Sequence, residues 1–305
     1  MKSKLIHPKD INLENKKADK RQIKSWFRGI SRAFRYFQLG NLILITGRTG
    51  NGKSTYVSLE MANFLEQGHK VCLYSGELSK YDAKSWVYSV FATKYMEEER
   101  DEYLNLITYK IPKHIEKRID NRYAHLWRLV QLNEDDRLEE DELFEHLDDE
   151  LRRGTIVFII DNKNMIKPKN RVGEDRWQNE VRLVERAKRY CERNNVLIFF
   201  VMHPKKSDGV LVIDSLAGKA EITAAASGII KIERVDEKDR EDFGSNLFGL
   251  DRTVEILKNR NTGVLGKIGV KWNNKGKFLY DSNESNRLHF EEDIWSWEKE
   301  EEDDF

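Results

Sequence analysis

The sequence predicts an α/β domain built on a mainly parallel sheet, and two observations lead there. Four continuous apolar runs of strand length, residues 41–46, 71–75, 155–160 and 196–201, recur along the chain with amphipathic helical stretches among them. A glycine-rich loop stands between the first run and the first helix. Continuous rather than alternating runs suit strands covered on both faces, as in a parallel sheet with helices above and below.

After the first run, residues 54–67 place Val57, Met61, Phe64 and Leu65 on one helical face, and Gly68 supplies the C-cap. Residues 80–150 read as a mostly helical insertion between the second and third runs. Within it the acidic stretch 134–150 carries Leu138, Leu143 and Leu147 near helical spacing, the pattern of an exposed amphipathic helix. Leu183, Val184, Ala187 and Tyr190 make another helix ahead of the fourth run, and Cys191 extends its apolar face as a core thiol. Residues 254–257, 268–272 and 278–280 alternate and are joined by Gly-rich turns, which predicts an antiparallel extension of the sheet.

Composition narrows the function classes. A hydrophobic fraction of 39% with 10% aromatics supports a core under a heavily charged surface, and argues against wholesale disorder. No apolar stretch approaches membrane-span length and no signal-peptide pattern opens the chain, so a soluble protein of a reducing compartment is expected. Cys72 and Cys191 give neither a disulfide framework nor a metal cluster. The net charge of zero hides an asymmetry: residues 1–36 carry eleven bases and three acids, whereas residues 291–305 carry nine acids and one base. The two ends therefore suit different partners, unless both are merely solvated termini.

Gly47, Arg48, Thr49, Gly50, Asn51, Gly52, Lys53 and Ser54 match the phosphate-loop pattern G-x-x-x-x-G-K-[ST] in full, with Thr55 next in the helix. Glycines let backbone N–H groups wrap phosphates, and the helix N-terminus adds partial positive charge. Lys53 is spaced to reach the β- and γ-phosphates, and the Ser54 hydroxyl to ligate Mg²⁺, so ATP or another NTP with Mg²⁺ is the expected ligand. Asp161 ends the third run, where a P-loop ATPase holds the carboxylate that supports the metal. Glu77 follows the second run, which is expected to neighbour the P-loop strand, and can polarise an attacking water. His203, Lys205 and Lys206 follow the fourth run. Singly, Glu77 or His203 would more often be a surface residue; ligands of open α/β sheets gather at the carboxyl ends of the strands, and that shared edge changes the weighting.

This set resembles the RecA-like helicase domain of ring-forming replicative helicases of superfamily 4. It is most similar to the branch holding the helicase half of the T-odd phage primase–helicases and Twinkle. The matching pieces are residues 29–47, the P-loop, 75–79, 159–162, 201–206, 256–260 and 262–263, within a span of about residues 29 to 281. Only the P-loop is specific by itself; order and spacing carry the rest.

The resemblance implies a RecA-like P-loop NTPase fold with roles for particular residues. Glu77 would be the catalytic base, Asp161 the Mg²⁺-supporting acid and His203 the γ-phosphate sensor. Arg260 would be an arginine finger serving the neighbouring subunit's ATP, with Lys258 beside it. DNA-contacting loops would follow the third and fourth core strands, here with Lys163, Lys167, Lys169 and Arg171, then Lys205, Lys206 and Lys219. Neither loop has an aromatic to stack on bases, which suits sequence-independent grip on the backbone of single-stranded DNA. Residues 217–227 are poor in the arginine and acidic residues that relatives carry there, and no primase domain or zinc motif is present.

Three regions follow: 1–36, a basic segment whose Ile23, Trp26, Phe27 and Ile30 stripe suits a helix linking adjacent subunits; 37–285, the ATPase/helicase domain; and 286–305, an acidic tail. Asp303, Asp304 and Phe305 resemble the tails by which phage replication proteins dock on their DNA polymerase, while Trp295 and Trp297 can instead pack on the core. The implied protein is a cytoplasmic, hexameric, ATP-driven helicase of a phage replisome. It would act on single-stranded and forked DNA 5′ to 3′, with a separate primase or loader and no membrane partner. The alternatives are a RecA-like DNA-dependent ATPase, such as a recombinase or packaging accessory, and a nucleotide-gated DNA or polymerase adaptor.

Overall fold

The structure is a computed structural model and describes residues 22–76, 78–103, 105–131, 137–162, 166–169, 173, 176–203, 220–235, 249–281 and 295–299. In chain order the elements are α1 (Arg28–Phe34), β1 (Leu42–Thr46), α2 (Lys53–Glu66), β2 (Val71–Ser75), α3 (Lys80–Ala92), β3 (Glu97–Asp101) and β4 (Leu106–Lys110). Next come α4 (Lys113–Tyr123), β5 (Trp127–Gln131), β6 (Leu138–Glu139), α5 (Glu140–Arg152), β7 (Val157–Asp161), β8 (Ile166–Lys167), α6 (Arg176–Asn194) and β9 (Leu197–Met202). The last are α7 (Ala220–Ala225), β10 (Gly228–Arg234), β11 (Arg252–Asn259), β12 (Gly266–Asn273) and β13 (Phe278–Tyr280).

Nine strands form one sheet in the order β13-β12-β11-β10-β1-β9-β7-β2-β5. From β10 to β5 neighbours run parallel, and from β10 to β13 they run antiparallel. The predicted parallel sheet with its antiparallel extension is thus what forms. Every residue of β1, β2, β7 and β9 is buried, because helices cover both faces. Strand alternation divides the apolar side chains between two cores. Ile43, Ile45, Ile159 and Phe199 face α2 and α3, while Leu42, Leu44, Phe158 and Phe200 face α5 and α6. Cys72 and Cys191 lie in the second core, and burial pushes the Cys72 thiol up to about 12, so both are packing groups. Among the described residues no helix is long and apolar enough to cross a membrane.

Three sequence expectations are corrected. The first concerns β2, which lies three strands from the P-loop strand β1, whose neighbours are β9 and β10. Equivalent apolar runs carry no information on lateral order. Second, residues 80–150 are helical in α3, α4 and α5 but also form an antiparallel hairpin, β3–β4, and a sheet strand, β5. Edge strand β5 turns Trp127 and Leu129 to one core and Val130 to the other, so it makes no continuous run.

Third, the Ile23, Trp26, Phe27 and Ile30 stripe is buried within this chain's own core, and only Ile30 lies in a helix. Ile23 bridges Phe37, and the strap leading into α1 is tied to α2. Glu60 of α2 accepts from Ser25 Oγ and, at 2.9 Å, from the Trp26 backbone N–H. Asn63 Nδ2 and Gln67 Nε2 donate to Lys24 O at 2.7 and 2.9 Å.

Burial raises the Glu60 carboxyl to about 7, against the bonds from Ser25, Trp26 and Asn63 that favour its anion. The neutral acid therefore fits the fold better than the charged one. Its contribution is complete below the unfolded carboxyl's range near pH 4.5 and is lost as pH rises through about 7. Glu60→Gln should abolish this slope, which amounts to about 3 kcal/mol between pH 4.5 and 8. Urea unfolding at both pH values checks it: the same pH dependence in wild type and variant would refute the assignment.

Candidate nucleotide site

The loop after β1 takes its shape from three glycines. Gly47, Gly50 and Gly52 have φ of +150°, +78° and +96°, values that side chains resist. At Gly47 space is decisive as well, since an added Cβ would lie 2.1 Å from the Ile232 carbonyl oxygen of β10. Gly52 caps α2 and, having no side chain, makes no cap hydrogen bond to the first N–H groups of that helix. Lys53 is buried and its Nζ donates to Gly47 O at 2.9 Å and Arg48 O at 3.1 Å, which holds the ammonium inside the loop. Arg48, Thr49 and Gly50 are exposed, Ser54 half-buried, and Asn51 and Thr55 buried. Left-handed glycines, a helix N-terminus without a side-chain cap and an enclosed ammonium fit an NTP phosphate chain, and the half-buried Ser54 hydroxyl stands next to Lys53 in the helix.

Asp161 ends β7, is 2% exposed, and lies on the same sheet edge as the P-loop. Its carbonyl accepts from Gly76 N–H at 2.8 Å, which ties the segment after β2 to β7. Asn162 Nδ2 lies 3.2 Å from His203 Nε2, joining the ends of β7 and β9. Asp161 and His203 are therefore brought to the edge where the sequence analysis put them. Glu77 lies outside the described residues; its strand stands about 14 Å from β1 at the usual strand spacing.

Arg252 is a site residue that sequence reasoning missed. Its Nε donates to Asn51 O at 3.1 Å, and its guanidinium lies over Trp272, 5.7 Å from the ring centroid. Burial, then the field of Arg234, lowers its pKa from the ordinary arginine value. This end of β11 meets the P-loop because Arg252 pairs with Arg234 at the carboxyl end of β10, a register no local motif encodes.

Antiparallel pairing sends the other end of β11 to the opposite sheet edge. There Lys258 pairs with Ile229 and Asn259 with Gly228. Lys258 Nζ and the Arg260 guanidinium both donate to carbonyls at the end of α7, at Thr223 and Ala224 respectively. Burial and the nearby Arg260 and Lys188 charges lower Lys258 to about 8. The two are together, but at the edge away from this chain's own P-loop.

Lys167 and Lys169 are exposed and paired with Glu139 and Asp141 at 2.7 and 2.8 Å. Lys169, then Arg186, holds the Asp141 carboxyl down at about 2. Exposed pairs of this kind contribute roughly 0–1 kcal/mol, so a phosphate can replace the carboxylate at little cost. Lys163, Arg171, Lys205, Lys206, Lys219, Asp303, Asp304 and Phe305 lie outside the described residues.

No family model matches the chain. Among solved structures, the ATPase domain of G40P superposes with a TM-score of 0.68 at 15% identity, covering 88% of this chain and 94% of that one. A DnaB-like replicative helicase, from a structure concerned with its interactions with primase, gives the same TM-score and identity over 88% of this chain and 63% of its own. At this identity the likeness establishes the fold alone, a RecA-like α/β sheet of the kind found in these ATPase domains.

Arg252→Ala should weaken binding of a fluorescent ATP analogue about tenfold, the loss expected when one charge-assisted contact goes, and leave the melting temperature within a few degrees. Unchanged affinity would remove Arg252 from the site.

Proposed function

We propose that this chain is the ATP-hydrolysing motor subunit of a ring-forming replicative DNA helicase. The observation that carries the reading is the complete P-loop, with Lys53 enclosed and the α2 N-terminus uncapped, on one edge with Asp161 and His203. The helicase-type fold surrounding it supports the same reading. The P-loop amides and Lys53 bind and orient the phosphates. Ser54 and Asp161 would hold Mg²⁺, which would supply charge neutralisation at the transferring phosphate. Glu77 would take a proton from the attacking water, and His203, linked to Asn162, would sense the phosphate end from β9.

Arg260 cannot serve this chain's own phosphates, because register puts it at the far edge of the sheet. A cation there can act on a nucleotide bound by an adjacent subunit, so hydrolysis would require assembly. Rings of such subunits would translocate on single-stranded DNA 5′ to 3′ through the loops after β7 and β9, gripping phosphates with Lys163, Lys167, Lys169, Arg171, Lys205, Lys206 and Lys219. The acidic segment with Asp303, Asp304 and Phe305 would dock on the basic surface of a replicative DNA polymerase.

The decisive measurement is ATP turnover with and without single-stranded DNA, alongside strand release from a forked duplex. Stimulated turnover with release supports the motor; stimulated turnover without release favours a recombinase-type ATPase; absent turnover with tight ATP binding favours an adaptor.

Lys53→Ala should abolish hydrolysis, whereas Glu77→Gln should keep ATP affinity while turnover falls at least a hundredfold. In mixtures with wild type, Arg260→Ala subunits should reduce turnover more steeply than their mole fraction; a strictly linear decline would rule out a finger acting between subunits.

A further inference from the structure

The described residues Trp295–Lys299 follow a stretch outside the description, yet they are held by more specific contacts than a frayed terminus makes. Trp295 stacks on Trp26 with ring centroids 6.2 Å apart and meets Phe91 edge-on at 5.0 Å. Trp297 is 1% exposed, with the Arg118 guanidinium 5.0 Å above its ring and Tyr95 edge-on at 5.4 Å. Between these anchors Ser296 is read by Glu66, which accepts its backbone N–H at 3.1 Å and its hydroxyl at 2.8 Å. Arg122 Nε donates to the same hydroxyl at 3.2 Å, and Tyr95 OH donates to Glu298 at 2.6 Å.

This is how a peptide site is built rather than how a core grows. Two aromatic anchors enter pockets, and a half-buried carboxylate, Glu66, reads the backbone between them. Arg118 Nη2 reaches the Trp297 and Glu298 carbonyls at 3.4 and 3.5 Å. The pocket walls come from the strap before α1, from α2, from α3 and from α4, and they hold one another without the segment. Phe91 stacks on Tyr123 at 4.4 Å, Tyr123 bonds Glu66, and the strap is tied to α2 through Glu60.

We propose that Trp26, Glu66, Phe91, Arg118 and Tyr123 form a binding site for a Trp-Ser-Trp-Glu peptide, filled by this chain's own residues 295–298 and open to exchange with the same segment of a second copy. The ligand class is set by the site: two indoles one residue apart, a small hydroxyl residue between them and an acid after. Occupancy ties the far end of α2, whose first residue is Lys53 of the P-loop, to the strap and to α4. Exchange between copies would tie neighbouring subunits through the same contacts.

The test uses the full chain carrying Trp295→Ala and Trp297→Ala, with a fluorescein-labelled synthetic peptide of residues 291–305 as probe. Saturable one-to-one binding is expected, at least tenfold weaker to wild type, whose own segment competes. It should also be at least tenfold weaker when Arg118→Glu is added to the double variant. A control peptide with both tryptophans replaced by alanine keeps every acid. Equal binding of that control, or no saturable binding by a variant with a cooperative melt, would overturn the site.

Should the double variant not fold, hydrogen exchange of the wild type decides. The Ser296 and Trp297 amides should open at least tenfold faster than those of β1 and β9, and exchange of all of them in step would show that the segment is an inseparable part of the core. None of these readouts depends on ATP or DNA.

Discussion

The path from β1 into α2 is the constraint on which the rest of the molecule depends. Gly47 passes so close to the Ile232 carbonyl that a side chain has nowhere to go. That contact fixes the phosphate loop against β10, and with it the point where α2 begins. Because β1 is buried along its whole length and lies between β9 and β10, the loop inherits the rigidity of the sheet centre. A binding loop on so firm a base needs little ordering when the phosphates arrive, which is the physical meaning of preorganisation.

From that start α2 acts as the shared support of three separate features. Its N-terminus is left uncapped and faces the phosphate site. Its middle holds the strap through Glu60, and its last residue, Glu66, holds Ser296. A helix buried on nearly every side tolerates a carboxylate such as Glu60 only by hydrogen-bonding it or keeping it neutral; Ser25 and Trp26 supply the bonds, and burial pushes the carboxyl up to about 7. The polar contacts along α2 therefore specify where the two outlying segments attach, while the aromatic contacts around Phe37, Phe64 and Phe199 supply the packing.

What could be read from the sequence is what depends on nearby residues. The P-loop, the four buried strands, the helix ending before Gly68 and the acid at Asp161 each announce themselves within a short window. What could not be read depends on pairing between distant segments. Nothing in VCLYS says that it lies three strands from NLILIT, and nothing around Arg252 says that it touches Asn51 across the sheet. The apolar stripe from Ile23 to Ile30 had the right spacing for a free helix face, but spacing alone does not say which surface covers it. In this chain the surface is its own α2 side, and the described residues before Arg28 are not helical.

Strand β11 joins these themes. It carries Arg252 at one end and leads into Arg260 at the other, and antiparallel pairing with β10 sets the two ends at opposite edges of the sheet. Eight residues of strand span roughly 25 Å, too far for both cations to serve one nucleotide. Arg252 is bonded to the loop of its own chain, whereas Arg260 and Lys258 rest on carbonyls at the end of α7. Helix α7 follows residues 205–219, which the helicase reading gives to DNA. On that reading the cations offered to a neighbouring subunit lie against the helix next to the DNA loop. A shift of α7 would then change the surroundings of Arg260 with no movement of β11, whose ladders to β10 and β12 hold it in place. Coupling of this kind needs only one short helix with two positions, because the sheet supplies the fixed frame against which it moves.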